Sequence, residues 1–314
     1  MDRTSLLAEI AEMYFLEGKN QNEIARKVGM TRSNVSRLLK EARQLGIVKI
    51  QIEYPLQENH ALAQELVERF HLKQAKVIQV SQENQLVSKL GNAAARVLKD
   101  SLKPGVILGT AWGTGISATV DHLDLTEPIP NIKVVQLLGA LGSRIQGYDA
   151  HGIVRRLEEK LGAEGIYMNA PFFVDDANTA ELLLETSSIK DNLKLAKQAE
   201  IALLGVGSLD LSQCSYYRAG YVAKNEILQI QKTGAIGDVC GRFFDIDGQV
   251  TANAFQNQLI GININDLKRI PVRIGVAGGA EKIDPIIGAL RGKFVNILIT
   301  DSTSAQEVLK RTTG

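Results

Sequence analysis

An apolar stripe at three- and four-residue steps marks the segment that organises this chain, residues 21–52. The stripe predicts two amphipathic helices. The first begins at Gln21 and ends at Gly29, because glycine supplies the backbone freedom of a tight turn. The second begins near Thr31 or Ser33, either of which can cap it through a hydroxyl, and its apolar positions are Val35, Leu38, Leu39, Ala42 and Leu45. Two short helices joined by a glycine-containing break are typical of a helix-turn-helix.

Polar and basic side chains lie off this stripe, where a recognition helix would meet the major groove. Residues 21–52 contain seven Lys and Arg against two Glu, a net charge of +5, whereas the whole chain carries only +1. Positive charge concentrated in one segment favours a polyanionic partner over a helical hairpin with a solvated basic face. We therefore expect double-stranded operator DNA to bind here, with contacts to phosphates and base edges from Gln21, Thr31, Arg32, Ser33, Asn34, Ser36, Arg37 and Lys40.

Strict alternation of apolar and polar residues follows the second helix, through Val48, Ile50 and Ile52. That period predicts a half-buried strand, a wing beside the helix-turn-helix, and Pro55 ends the unit. Residues 1–54 are thus predicted to be a winged helix-turn-helix domain. A linker helix is predicted within residues 55–72, where Leu62, Leu66 and Phe70 form a second stripe. This helix would pack either on the larger domain of its own chain or on its copy in another subunit.

Short apolar runs without alternation dominate residues 73–314 and alternate with helical patterns. Such runs are typical of strands covered on both faces, so we predict a Rossmann-like α/β domain with a mostly parallel sheet. The predicted strands are Val77–Val80, Val106–Leu108, Lys133–Leu138, Gly165–Met168, Ile201–Val206, Val272–Ala277 and Val295–Thr300. The predicted helices are Leu86–Leu102, Thr114–Leu123, His151–Leu161, Ile189–Ala199 and Lys282–Ala289, with a last helix that Ser304 and Glu307 would begin as a capping box.

Composition narrows the class of protein. At 314 residues the chain is long enough for about two domains. Its composition, 45% hydrophobic and 23% charged residues, is ordinary for a globular protein. Two cysteines make no disulfide framework, four scattered histidines have no metal spacing, and no catalytic constellation is recognisable. We expect no cofactor and no metal. The sequence also lacks a signal peptide and a membrane-length apolar run, so we expect a cytoplasmic protein with no membrane partner.

Glycine-rich turns follow several of the predicted strands, and ligands bind at such strand ends in parallel sheets. The turn Gly109–Gly115, GTAWGTG, lies between a strand and a helix, where free amides favour an anion. It matches neither the dinucleotide nor the nucleotide-binding glycine motif, so no NAD or ATP site is indicated. Arg218, near Tyr216 and Tyr217, would either contact a ligand or lie at the surface. The candidate effector-binding residues are Gly109, Thr110, Gly113, Thr114, Gly115, Gln136, Gly139, Asp238 and Lys282.

Several of these stretches together resemble the SorC family of bacterial sugar-responsive transcriptional regulators. The resemblance covers nearly the whole chain, including LEGKNQNEIARKVGMTRSNVSRLLKEARQLGIVKIQI, VVQLLGALG, ALLGVGS, GAIGDVCGRFFDIDG and AEKIDPIIGALRGKFVNILITDSTSAQEVL. It implies a winged helix-turn-helix joined to an effector domain related to sugar-phosphate isomerases, and assembly into dimers or tetramers. It also implies that a phosphorylated sugar or polyol is cradled at Gly109–Gly115, with Asp238 and Lys282 as ligand partners. Some relatives carry a lysine where this chain has Leu138, so covalent capture of a sugar there is not expected.

These observations predict a non-enzymatic regulator of a carbohydrate-utilisation operon that senses a phosphorylated sugar or polyol. Two alternatives stay open at the level of sequence. A sugar-phosphate isomerase or deaminase with an added DNA-binding domain would turn over its ligand. A domain that has lost its ligand would serve only for oligomerisation, and no carbohydrate phosphate would stabilise it.

Overall fold

The computed structural model describes residues 2–48, 55–125, 127–140, 149–252 and 254–313. The chain divides into two compact units, Met1–Pro55 and Leu56–Gly314. Each unit has its own apolar core, as expected of domains that fold around separate clusters. The predicted wing strand lies largely at residues 49–54, outside the described residues.

The described part of the first unit contains three helices, with the bounds α1 Arg3–Phe15, α2 Gln21–Val28 and α3 Arg32–Gln44. The helix-turn-helix prediction is therefore confirmed. The predicted apolar stripes face one another in a small buried core that includes Ile10, Ile24 and Val35, each fully buried. Arg3 on α1 donates two hydrogen bonds of 2.8 Å to the carboxylate of Glu41 on α3, which joins the helices at the unit's surface.

Local side-chain chemistry sets the ends of these helices. The Asn20 side chain accepts from the amides of Asn22 and Glu23 and begins α2, while the Glu23 carboxylate accepts from the Asn20 amide, a capping box. Gly29 ends α2 in the left-handed conformation, φ 67°, and the Thr31 hydroxyl accepts from the Asn34 amide to begin α3. Of the two predicted caps of α3, the structure selects Thr31.

The second unit is built on a seven-stranded, wholly parallel sheet with the order β1-β10-β9-β5-β2-β3-β4. A separate antiparallel sheet has the order β6-β7-β8. The strands are β1 Gln74–Ile78, β2 Ile107–Thr110, β3 Lys133–Gln136, β4 Glu164–Ile166, β5 Ile201–Gly205, β6 Gly207–Ser208, β7 Gly237–Val239, β8 Arg242–Phe244, β9 Val272–Val276 and β10 Ile297–Asp301. All seven predicted strands occur with bounds shifted by up to three residues, so the α/β prediction is confirmed; the small sheet was not predicted.

Helices connect the strands of the large sheet and bury it. Their bounds are α4 His60–Phe70, α5 Leu86–Ser101, α6 Thr114–His122, α7 Ala150–Leu161, α8 Ala177–Glu185, α9 Ser187–Ala196, α10 Ser215–Arg218, α11 Lys224–Lys232, α12 Ile264–Arg269, α13 Ile283–Arg291 and α14 Ser302–Arg311. One prediction about their ends was wrong. The side chain of Asp301, not Ser304, caps α14 by accepting from the Ser304 amide at 2.9 Å, because the chain turns into the helix directly at the end of β10.

The linker helix α4 packs on the rest of the second unit of the same chain. Arg69 on α4 donates to the Leu309 carbonyl near the end of α14. Residues 57–59, just before α4, lie antiparallel to edge strand β1: the Asn59 amide donates to the Val77 carbonyl at 2.8 Å. At the opposite edge, on β4, the Gly165 amide donates to the Glu158 carboxylate at 3.1 Å. Both edges of the large sheet therefore have partners from the same chain.

Candidate functional site

The exposed face of α3 carries the side chains that the sequence predicts to contact DNA. Thr31, Arg32, Ser33, Asn34, Ser36, Arg37 and Lys40 are all exposed, and Gln21, at the start of α2, is half-buried. Because Val35, Leu38, Leu39 and Ala42 hold the opposite face in the core, α3 presents its polar face as one surface. Arg43, also exposed, extends the positive charge along this face.

A cavity of about 280 Å³ lies in the second unit, at the carboxyl ends of β2, β5 and β9. The chain winds outward through β3 and β4 on one side of β2, and through β9 and β10 on the other side of β5. The cavity therefore lies at the point where the winding direction changes, the position at which open α/β sheets bind ligands. Its volume is near the lower end of the range of about 300–1,000 Å³ for small-molecule sites, which fits a ligand of sugar size.

One wall of the cavity is the start of α6, formed by Gly113, Thr114 and Gly115. Gly113 precedes the helix with φ 142°, a conformation that favours glycine, and no side chain caps the first turn. Gly115 brings the helix close to β9: a Cβ there would lie 3.2 Å from a methyl carbon of Val276. An uncapped helix start that faces a cavity presents amide protons and a positive dipole end to an anion.

Asp238, on β7, provides a carboxylate that lines the same cavity and is 5% exposed. Its Oδ2 accepts from the Tyr216 hydroxyl and, at 2.9 Å, from the Gly241 amide. Its Oδ1 lies against Gly207, where a Cβ would be only 1.8 Å away. Burial raises the pKa of the Asp238 carboxyl, although the bonds from Tyr216 and Gly241 and the charge of Lys282 act in the opposite direction.

Lys282 ends a 3₁₀ turn, Ala280–Lys282, and reaches the cavity from the β9 side. Its ammonium donates to the Val206 carbonyl. Burial lowers the pKa of Lys282, while the negative charge of Asp238 raises it. Within the ranges that the structure describes, Lys282 and Asp238 form no ion pair with each other. Two groups of opposite charge therefore line one cavity without pairing with each other, and a polar ligand would compete with their present protein partners.

Aromatic side chains from distant segments form an apolar wall of the cavity. The Tyr216 ring stacks on Phe172 with centroids 5.3 Å apart and planes at 7°. Trp112 meets both of these rings edge to face, at 5.4 Å from Phe172 and 5.5 Å from Tyr216. Trp112 and Tyr216 line the cavity, and flat apolar surfaces with a few convergent polar groups are typical of small-molecule sites.

The structure does not bring every predicted effector residue to the cavity lining. Gly113, Thr114, Gly115, Asp238 and Lys282 line it. Thr110 is fully buried and bonds the Ala111 carbonyl, and Gln136 is fully buried between the Leu138 carbonyl and the Met168 amide.

Two predicted glycines also lie in packed positions outside the lining. A Cβ at Gly109 would lie 2.6 Å from the Leu137 side chain, and a Cβ at Gly139 would lie 2.3 Å from the Pro171 carbonyl oxygen. These glycines, with Thr110 and Gln136, support the fold around the cavity.

Several residues of the lining are not predicted from the sequence. Trp112 is the only tryptophan of the chain, and its place inside a glycine-rich turn was the available signal. Cys240 and Gly241 form the turn between β7 and β8, both with positive φ, 51° and 72°, and a residue followed by glycine between two short apolar runs indicates such a hairpin. Tyr216 lies buried against Asp238, whereas the neighbouring Arg218 is exposed.

Other kinds of site find no support among the described residues. No group of three or more His, Cys, Asp or Glu side chains in the described ranges is placed to hold a metal ion. Among the helices that the structure describes, none combines the length and apolar character needed to cross a membrane.

Comparison with protein families matches both units. Residues 54–310 match the family described as "Putative sugar-binding domain", and residues 7–44 match region 4 of sigma-70, a match that coincides with α1–α3. The chain is 33% identical over 306 residues to the transcriptional regulator LsrR of Klebsiella pneumoniae subsp. pneumoniae, covering 97% of this chain and 92% of the relative. It is 30% identical over 311 residues to the deoxyribonucleoside regulator of Bacillus subtilis, covering 98% of each.

The fold agrees with a solved relative over the same length. The full-length sorbitol operon regulator SorC from Klebsiella pneumoniae superposes with a TM-score of 0.75 at 29% identity, covering 98% of this chain and 100% of that one. These relatives are regulators rather than enzymes, so the isomerase alternative is not supported. With a helix-turn-helix, a sugar-binding domain and full-length relatives of the same kind, the chain belongs to the SorC family of transcriptional regulators.

Proposed function

We propose that the protein controls a carbohydrate-utilisation operon and that a phosphorylated sugar or polyol in the cavity governs its binding to operator DNA. The observation that carries this proposal is the combination of charges in one cavity of sugar size. An uncapped helix start and an ammonium group line it together with a buried carboxylate. Amide protons and ammonium groups suit a phosphate, and a carboxylate suits the hydroxyls of the carbon chain.

The residue roles follow from these positions. The phosphate would lie against the amides of Gly113, Thr114 and Gly115, with Lys282 as the cationic partner. The Asp238 carboxylate would accept hydrogen bonds from sugar hydroxyls at the other end of the ligand. Gly109, Thr110, Gln136 and Gly139 would shape the site from behind, because none of them lines the cavity.

Operator binding is assigned to the exposed face of α3. Arg32, Arg37 and Lys40 would bind phosphates and guanine edges, while Ser33, Asn34 and Ser36 provide shorter polar contacts. We also propose that the protein acts as a homodimer or homotetramer, since two copies of α3 on two half-sites multiply the contact with DNA.

Effector and operator binding must be coupled through different quaternary arrangements. A ligand shifts such an equilibrium only by its difference in affinity for the two arrangements. The shape of the cavity must therefore differ between the two quaternary arrangements. The signal would be carried by those parts of the cavity lining that can move.

A thermal-shift screen of the full-length protein tests the effector assignment. The probes are glucose 6-phosphate, fructose 6-phosphate, sorbitol 6-phosphate, the three unphosphorylated compounds and inorganic phosphate. A true effector at 100 times its Kd should stabilise the native state by about 2.7 kcal/mol. Equal stabilisation by a free sugar would show that the start of α6 binds hydroxyls, and would contradict the phosphate assignment. No stabilisation by any probe would favour a domain that serves only for oligomerisation.

A gel-shift assay with the DNA upstream of the protein's own gene tests the regulatory part. The effector found in the thermal screen should change operator affinity, while a non-stabilising sugar phosphate serves as the matched control. An effector that binds but leaves operator affinity unchanged would contradict the proposed coupling.

A further inference from the structure

The charged side chains of the cavity are already bound by groups of the protein itself. The Tyr216 hydroxyl and the Gly241 amide both donate to Oδ2 of Asp238. The Lys282 ammonium donates to the Val206 carbonyl. The Gly241 amide belongs to the hairpin turn that also holds Asp238, so it moves with the carboxylate. Tyr216, in contrast, comes from another segment, and its hydroxyl is the donor that a ligand is able to replace.

The Tyr216 side chain also resembles a ligand in its chemistry. A phenol ring with a hydroxyl resembles a flat ligand with one hydrogen-bond donor: its ring stacks on Phe172 at 5.3 Å, and its hydroxyl meets the carboxylate. A sugar hydroxyl is a donor of the same kind. Only 4% of Tyr216 is exposed, so its side chain lies inside the cavity wall.

The segment that carries Tyr216 is short and only partly buried. Tyr216 belongs to α10, a helix of four residues, and the next two residues, Tyr217 and Arg218, are exposed. Cys214, which precedes α10, is fully buried. A helix of one turn has little stability of its own, so the position of α10 depends on the buried contacts of Cys214, Tyr216 and Ala219.

We propose that the Tyr216 hydroxyl is a built-in competitor of the effector: an effector hydroxyl replaces it at Asp238, and this exchange loosens α10 and carries the signal from the cavity to the protein surface. This inference rests on the proposed function and adds the group through which the cavity changes when the effector binds. Burial raises the pKa of Tyr216 well above its usual value of 10.0, so the phenol stays protonated and remains a donor at physiological pH.

The exchange also defines the class of effector. Only a hydroxyl or another donor can replace Tyr216, because a carbonyl or phosphate oxygen would face a carboxylate without a proton to share. Three carboxylates, those of Glu83, Asp238 and Glu281, line the described cavity against the single ammonium of Lys282. A second phosphate would therefore meet like charge. The site fits a monophosphate whose other end carries a free hydroxyl.

Replacing Tyr216 by Phe in the full-length protein tests the exchange, because the ring is kept and only the hydroxyl is removed. Trp112, the only tryptophan, lies edge to face against Tyr216, so its fluorescence reports binding directly. Titration at pH 8 uses glucose 6-phosphate, fructose 6-phosphate, sorbitol 6-phosphate and fructose 1,6-bisphosphate. We expect Tyr216→Phe to bind the active monophosphate about tenfold more tightly, the equivalent of about 1.4 kcal/mol, since no internal hydrogen bond is given up.

Tyr217→Phe is the matched control, because it removes the same atom from the neighbouring exposed tyrosine and should leave Kd unchanged. A residue with a merely structural role would give equal or weaker binding when altered. If Tyr216→Phe binds the monophosphate no more tightly than the wild type, or if the bisphosphate binds best, the inference is wrong.

Maleimide labelling of Cys214, located by peptide mass spectrometry, follows the loosening of α10. The active monophosphate should increase the labelling rate of Cys214 in the wild type several-fold, while a sugar phosphate that does not stabilise the protein serves as the control and should leave that rate unchanged. An unchanged rate at saturating ligand would refute the movement of α10. If no sugar phosphate stabilises the wild type or changes its fluorescence, the proposed function itself fails, and this inference with it.

Discussion

Replacement of Lys282 by Met separates the ligand-binding role of this side chain from any structural one. Methionine keeps the length and apolar stem of lysine and removes the charge. The ammonium has a single protein partner among the described residues, the Val206 carbonyl, and burial lowers its pKa, which shows that the charged form is disfavoured where it lies. We therefore expect ligand-free Lys282→Met to fold with a stability equal to or above that of the wild type.

The effect on ligand binding should be large by comparison. A hydrogen bond to a charged group contributes about 1.5–3 kcal/mol, so its loss should weaken effector binding about 10- to 150-fold. At a ligand concentration 100 times the wild-type Kd, stabilisation should fall from about 2.7 kcal/mol to about 0.3–1.4 kcal/mol. In a unit of this size, each kcal/mol of added stability raises Tm by about 2–4 °C. The ligand-induced increase in Tm should therefore drop from about 5–11 °C in the wild type to about 1–6 °C in Lys282→Met.

Differential scanning fluorimetry with and without the active sugar phosphate measures both effects, and Lys310→Met, at an exposed lysine of α14, is the matched control. The pH dependence gives a second test. Since the folded pKa of Lys282 is depressed, ionisation opposes folding at neutral pH. Ligand-free wild type should gain stability relative to Lys282→Met as the pH rises through this lowered pKa toward the ordinary value of 10.5. An undiminished Tm increase in Lys282→Met would refute the assignment of Lys282 to the effector.

Three further substitutions test other parts of the molecule. Arg37→Ala should weaken operator binding, as measured by fluorescence anisotropy at several salt concentrations. The slope of log K against log salt concentration should become shallower by about 0.9 for each DNA phosphate that is no longer neutralised. An unchanged slope would exclude a phosphate contact. Gly207→Ala should abolish effector stabilisation with the circular dichroism spectrum unchanged, because its Cβ would lie 1.8 Å from Oδ1 of Asp238. Gly91→Ala should lower the free energy of unfolding by about 1–3 kcal/mol in urea, because its Cβ would lie 2.6 Å from the Ala118 backbone; full stability would contradict the close α5–α6 contact.

The sequence predicts most of the framework because the relevant signals are local. The cap at Thr31 and the left-handed turn at Gly29 depend on residues within one or two helical turns. The strands of the large sheet are recognisable because both of their faces are covered, which requires unbroken apolar runs. Strands β6, β7 and β8 have only two or three residues each, too few to show any period, and so they escape prediction.

The site is only partly predictable because its contacts depend on tertiary structure. Strand-end position identifies Gly113 and Lys282, but it does not tell which way a side chain points, so Gln136 is selected although it bonds Leu138 and Met168 inside the fold. The pair Tyr216 and Asp238 joins residues 22 positions apart on different elements. No periodicity connects such residues, and only the folded chain brings them together.

The paired edges of the large sheet have a consequence for how copies of the protein assemble. An open edge strand would recruit another chain by continuing the ladder, the usual route to uncontrolled aggregation. Here residues 57–59 cover β1, and the Glu158 carboxylate takes the Gly165 amide on β4. These contacts disfavour growth of one continuous sheet through several subunits. In the homo-oligomer proposed above, we therefore expect copies to meet through helices and loops, whose contacts can rearrange without breaking backbone hydrogen bonds.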